Sequence, residues 1–245
     1  MLKNLYIFLI LFISNSIFAS EVKIINDIPG NGIEIINHSK VSVHYIGKLE
    51  NNIEFDNSYK RDQLFNFQIG VRKVIPGWET GLLGMKEGGK RTIFIPYQLA
   101  YGKKGAGDLI PPESNLIFEI EVFKVTPPKY KEIDNLQLKL AMTDQNFKII
   151  DIRNLNKIIE TGIIPGSIVL TAFDNKGNFQ QNFLNKYGEI IFPGDKVIFV
   201  SDEGIISSIL ANGFAEQLNQ NNIFHLKGGI LDLKKNNFIF QEFKN

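Results

Sequence analysis

The chain has 245 residues, a formal net charge of +1 and no cysteine. Its length suits two modest domains; the absence of cysteine excludes disulfides, thiolate chemistry and Cys-ligated metal, so stability must come from packed cores. Interspersed acids and bases form no basic stripe of the kind nucleic-acid binding demands. In chain order, Lys3 followed by the apolar run Leu5 to Ile13 and by Ser14 to Ala19 reads as an export signal occupying 1–20. The apolar core is short of the ~20 residues a bilayer span needs, so cleavage after Ala19 or Ser20 is expected, with an uncleaved anchor as the alternative.

Val41, Val43 and Tyr45 alternate with Ser42 and His44, predicting a strand with one buried face and an outward His44. Phe55, Phe65 and Phe67 follow on further short strands. Pro76 has the fixed φ of a first helical turn, and Trp78 and Leu82 recur at i, i+4, so a short helix turns the only tryptophan toward a sheet. Tyr101 sits on a glycine-rich loop before Ile110-Pro111-Pro112, and Phe118, Ile120 and Val122 alternate on another strand. Together these aromatics predict an apolar pocket floored by the indole.

His44-Tyr45-Ile46-Gly47, Phe55-Asp56-Asn57-Ser58, Val74-Ile75-Pro76-Gly77-Trp78 and Ala100-Tyr101-Gly102 resemble, in order and spacing, the FKBP family of macrolide-binding peptidyl-prolyl cis/trans isomerases. The resemblance covers roughly 22–125, within a domain placed at 21–126, and implies an α+β half-barrel: an antiparallel sheet around one short helix. It also implies roles. Trp78 would lie under the proline ring, with Tyr45, Phe55, Phe65, Val74, Ile75 and Phe118 as walls. Ile75 N–H and the Tyr101 hydroxyl would donate to substrate carbonyls. Asp56 would sit near the amide, ordered by Arg61 and Tyr45, and Leu109 and Ile110 would contact substrate from an overhanging loop that carries Lys103 and Lys104. Lys73 departs from the acidic or polar residue that many relatives have before the Val-Ile pair.

Thr126-Pro127-Pro128-Lys129 marks the break between domains, with a linker over 127–133. Beyond it, Phe147 to Asp151 and Lys196 to Val200 are continuous apolar runs typical of buried parallel strands, and Ile223 to Leu226 would be another. Ile206, Ile209, Leu210, Gly213, Phe214 and Leu218 recur at helical spacing. Asp151-Ile152-Arg153, Gly162 to Ser167 and Leu226 to Ile230 resemble the rhodanese family, implying an α/β domain with a parallel sheet over 134–245.

Active members of that family carry a Cys-x-x-Gly-x-Arg loop at a helix N-terminus, where backbone N–H groups stabilise a persulfide. Here the loop reads Ser201-Asp202-Glu203-Gly204-Ile205-Ile206. Ser201 replaces the cysteine and Ile206 the arginine, so sulfur transfer is not expected. A serine nucleophile would need a base, and His225 is the only candidate. Asp151 and Arg153 read as structural.

The expectation is an exported prolyl isomerase, monomeric, acting in the periplasm or outside the cell on unfolded or partly folded proline-containing polypeptides. Macrolides are expected inhibitors; no cofactor, metal or nucleic acid is expected. The alternative is a folding chaperone or adaptor in which peptide binding matters and isomerisation is incidental.

Overall fold

Strand β2 (Lys40–Leu49) buries Val41, Val43, Tyr45 and Leu49 while the residues between them stay partly exposed, so the alternation in the sequence is the alternation in space. The computed structural model describes residues 21–243, and the expected export signal at 1–20 lies outside the described residues. Contacts group Ile35–Val41 and Gln68–Val71 with residues from Val125 onward, and the other described residues up to Lys124 form a second compact unit.

The N-terminal sheet also contains β1 (Lys23–Ile28), β3 (Glu54–Asn57), β4 (Phe65–Gln68), β5 (Lys90–Ile95) and β6 (Leu116–Thr126). Its order is β1-β5-β6-β2-β3, with β4 paired to β2. Antiparallel register sets Ile93 opposite Phe118 and Gly47 opposite Asp56. One short helix, α1 (Pro76–Gly81), crosses this sheet with Pro76 in its first turn. Trp78 and Leu82 are buried beneath it. The approach is close enough that a Cβ on Gly77 would lie 2.3 Å from Ile95 Cγ2, so glycine is required there. His44 is not simply turned to solvent. It is half-buried, stacks on Tyr59 with ring centroids 4.3 Å apart, and pairs through Nδ1 with Ser58 Oγ at 2.9 Å.

The C-terminal sheet is parallel, in the order β7-β11-β10-β8-β9. Its strands are β7 (Lys131–Ile133), β8 (Phe147–Asp151), β9 (Ile168–Val169), β10 (Lys196–Val200) and β11 (Ile223–Leu226). Residues 131–133, assigned to a linker from sequence, thus supply an edge strand of this sheet. Helices α2 (Asn135–Ala141), α3 (Leu155–Thr161), α4 (Phe183–Ile190), α5 (Ile205–Gln217) and α6 (Gly229–Lys235) surround it.

Successive strand residues feed opposite faces. Ile150, Val197 and Phe199 join Phe183, Tyr187 and Phe214 in one core cluster, whereas Ile149, Ile198 and Val200 join Leu138, Ile230 and Leu233 in another. The helix expected after β10 is present, but its inner face differs. Ser207, Ser208, Leu210, Ala211, Phe214 and Ala215 are buried on α5, while Ile206, Ile209 and Leu218 are exposed. Small residues let α5 approach the sheet closely, and that outweighs the larger apolar side chains in choosing the inner face.

Candidate functional site

Trp78 is the floor of the N-terminal site because α1 presses its indole into the open side of the sheet. Four rings stand around it: Tyr45 at 5.2 Å and 89°, Phe118 at 5.2 Å and 88°, Phe67 at 5.4 Å and 64°, and Phe65 at 5.9 Å and 82°. These near-perpendicular contacts bring ring edges against ring faces, the arrangement the aromatic quadrupole favours. Phe55 closes the set, packing edge-on against Phe118 at 5.7 Å. A Cβ on Gly47 would lie 2.6 Å from Cζ of Phe55, so that glycine on β2 makes the room in which the Phe55 ring lies.

The cavity above the indole measures about 320 Å³ and is lined by Tyr45, Phe55, Asp56, Phe65, Arg72, Lys73, Val74, Ile75, Trp78, Tyr101 and Phe118. Nine of the expected residues are therefore brought to one place. Arg61 stands beside them and binds Asp56. Leu109 and Ile110 line an adjoining hollow of about 260 Å³ that shares Phe55, Asp56 and Tyr101 with the main cavity. Leu109 is exposed there, whereas the Ile110 side chain is buried and its backbone is paired with Ala106. Arg72 was missed in the sequence, because nothing in its neighbours signals the left-handed turn, φ 57°, that carries it to the cavity.

The polar end of the cavity is held by one carboxylate. The Tyr45 hydroxyl donates to Asp56 Oδ2, Arg61 Nη1 donates to Oδ1, and the Asn57 N–H adds a bond to Oδ1 at 2.8 Å. Arg61 Nη2 also reaches the Tyr45 oxygen at 3.3 Å. Burial alone would raise the Asp56 pKa, but the bonds from Tyr45 and Arg61 outweigh it and hold the carboxyl below its ordinary value. Tyr45 is pushed up to about 12, by burial first and then by its bond to Asp56. Burial raises Tyr101 as well, aided by the Asp56 charge. Both phenols are therefore protonated donors at neutral pH.

Two donors on residues that line the cavity are uncommitted. Among the described residues, the Tyr101 hydroxyl and the Ile75 backbone N–H have no acceptor. The indole Nε1 of Trp78 is buried without one as well. No group of three or more histidines or acids among the described residues is placed to hold a metal ion.

The loop after β10 offers different chemistry. Ser201 is buried; its oxygen accepts the Ser207 N–H at 3.1 Å and its hydroxyl donates to Ser207 Oγ at 3.1 Å. Ser207 passes its own hydrogen to the Gly204 carbonyl at 3.0 Å. The carbonyls of Ser201 and Asp202 accept the N–H groups of Ile230 and Leu231. Ile206 points outward, 45% exposed. Buried Arg153 is consumed by Asp151, Thr161 Oγ1 and the Gly162 carbonyl, with Asp202 Oδ1 3.7 Å away. The expected structural role of Asp151 and Arg153 fits this network. His225 is engaged through Nε2 with Glu132 at 3.1 Å.

Comparison with known proteins gives two family matches: FKBP-type peptidyl-prolyl cis-trans isomerase over residues 33–123, and rhodanese-like domain over 134–236. An FK506-binding protein of Neisseria meningitidis serogroup A is 48% identical over 103 residues, covering 42% of this chain and 94% of the relative. The peptidyl-prolyl cis-trans isomerase FPR2 of Saccharomyces cerevisiae is 40% identical over 131 residues, covering 51% of this chain and 97% of the relative. The crystal structure of AtFKBP13 aligns at 40% identity over 43% of this chain and 91% of that one, with a TM-score of 0.39. The chain belongs to the FKBP family through its N-terminal domain, which a rhodanese-like domain follows.

Proposed function

We propose that this protein is an exported peptidyl-prolyl cis/trans isomerase that accelerates the folding of periplasmic or secreted proteins. The observation that carries the reading is the ring-lined cavity over Trp78, with the Ile75 N–H and the Tyr101 hydroxyl uncommitted at its edge. Rotation about an X-Pro bond breaks amide resonance against a barrier of ~18–20 kcal/mol. The twisted amide has lost its charge-separated form and is less polar than the planar one. An apolar cavity therefore disfavours the ground state more than the transition state, and each ~1.4 kcal/mol of that difference gives about a tenfold acceleration. No proton or nucleophile needs to move.

In this mechanism the proline ring rests on Trp78 between Tyr45, Phe55 and Phe118. Ile75 N–H and Tyr101 hold the flanking carbonyls, and Asp56, kept ionised by Tyr45 and Arg61, fixes the orientation of the Tyr45 ring. Macrolides that fill the same cavity would compete with substrate. A proline-limited refolding assay with catalytic amounts of the full chain tests this: the slow phase should accelerate in proportion to enzyme. An unaltered slow phase would refute it.

The rhodanese-like domain, on this proposal, transfers no sulfur and holds client polypeptide. Ser201 lacks a transferable sulfur and spends its hydroxyl hydrogen on Ser207. A cleft of about 530 Å³ beside α4 and α5, lined by Leu184, Ile191, Phe192, Phe214 and Leu218 among others, favours the client-binding part. Phe192→Ser in the full chain should then slow refolding of protein clients while leaving turnover of short peptides unaltered; equal effects on both would exclude the role. The export signal read at 1–20 supports the compartment.

A further inference from the structure

The charge around the cavity is unequal. Asp56 is the only acid lining it, and its charge is already matched by Arg61. Arg72 and Lys73 line the same cavity, are exposed, and make no ion pair or hydrogen bond with another described residue. The left-handed conformation of Arg72, φ 57°, is one that a non-glycine residue adopts at a cost, and here it sets two consecutive cations at the rim. Lys103 and Lys104, in the short turn directly after Tyr101, are exposed and unpaired among the described residues too. The opposing acid is Asp108, which lines the adjoining hollow rather than the main cavity.

We infer that Arg72 and Lys73 make this site select prolyl segments carrying a carboxylate within about two residues of the proline. The inference rests on the isomerase reading and adds a substrate class to it. A prolyl amide seated over Trp78 puts its neighbouring residues at the cavity rim, where they meet two uncompensated positive charges. At such distances in water a single charge pair is weak and screened by salt, so two cations acting together give a preference of about three- to tenfold at low ionic strength, decaying as the Debye length shortens. Substrates with lysine at the same places are disfavoured by the same charges.

The test compares three short peptides of one sequence with Glu, Gln or Lys beside the X-Pro unit, measured with the full-length protein at low and high salt. The quantity read is the ratio of kcat/KM for the Glu and Lys peptides. It should be about three to ten at low salt, approach one at high salt, and invert in the Arg72→Glu/Lys73→Glu double variant. A ratio near one in the wild type, or one that the double variant leaves unchanged, would overturn the inference. Failure to turn over even the Gln peptide would count against the isomerase reading instead. The charge preference would then be decided by the ratio of peptide affinities measured through the fluorescence of Trp78, the only tryptophan in the chain.

Discussion

Tyr45 gives its hydroxyl hydrogen to Asp56, and that single bond joins the aromatic wall of the cavity to its only carboxylate. The phenol hydrogen cannot serve a substrate at the same time, so on the proposed mechanism the Tyr45 hydroxyl only fixes the ring that packs against the proline, and Tyr101 is left as the free hydroxyl donor. Tyr45→Phe should therefore lower kcat/KM a few-fold while the ring packing against Trp78 and Phe118 persists. A loss as large as that from removing the Tyr101 hydroxyl would contradict the division of labour.

The same network fixes a pH dependence. Asp56 has its pKa lowered from the ordinary 3.8. A carboxylate depressed on folding contributes stability that is present above its unfolded pKa and is lost as pH falls through the folded one. Activity should be independent of Asp56 ionisation from pH 8 down to about 4. A wild-type profile that falls between pH 5 and 6, with the fall removed by Asp56→Asn, would show the carboxyl to be much less well held.

The hydrogen-bond chain from Ser201 through Ser207 to the Gly204 carbonyl argues against rescue of sulfur chemistry by one substitution. Ser201→Cys would put a thiol among backbone groups already committed to Ile230 and Leu231, beside Asp202 and Glu203, whose charges raise its pKa. Thiosulfate sulfurtransferase activity should be undetectable in both the wild type and Ser201→Cys. Adding Ile206→Arg with Asp202→Asn and Glu203→Gln should lower the thiol pKa, read by its rate of alkylation against pH. Activity in the single variant would refute this account of the loop.

His38 should add to the acid sensitivity of the chain in a pH range above that of the carboxylates. Tyr130 donates its one hydroxyl hydrogen to the Asn37 carbonyl at 3.0 Å, so His38 Nδ1, 3.0 Å from the same oxygen, must be the donor to it. Burial, with a further push from His225, lowers His38 from 6.5 to about 4. The ring is neutral when folded, and the unfolded chain takes up the proton first. Stability is therefore full well above pH 6.5 and falls toward pH 4 by at most about 1.4 kcal/mol per unit. Denaturant titrations of the full chain should show stability falling ever more steeply from pH 6.5 to 5, and His38→Asn, which tolerates the left-handed backbone, should reduce that fall. An identical slope in the variant would assign the sensitivity elsewhere.

Much of this arrangement was legible in the sequence because period-two alternation is a local signal. Val41 to Tyr45 and Phe118 to Val122 announced their strands, Pro76 announced α1, and the continuous runs at 147–151 and 196–200 announced β8 and β10 to the residue. What escaped depends on distant partners. β1, with the sequence KIINDI and every residue exposed, has no buried face to read and exists through its pairing with β5. β7 lies in a stretch that reads as linker until β11 pairs with it. Arg72 reached the cavity by a backbone turn that no neighbouring residue forecasts.

The proposed export would leave a simple trace. Protein recovered from the periplasm should begin near Ser20 or Glu21 and need no detergent, as N-terminal sequencing would show. Recovery of Met1 in the membrane fraction would establish an uncleaved anchor.

The most direct test of the central claim is the cis/trans exchange rate of a short X-Pro peptide, measured by NMR with substoichiometric full-length protein. The wild type should raise the rate in proportion to its concentration, and Phe55→Ala/Tyr101→Phe should lose most of that acceleration while remaining folded by circular dichroism. Trp78→Ala should lose it as well; because the indole is buried, that change also costs ~3–5 kcal/mol of stability, so the double variant decides. Full acceleration by the folded double variant would contradict the assignment of catalysis to this cavity.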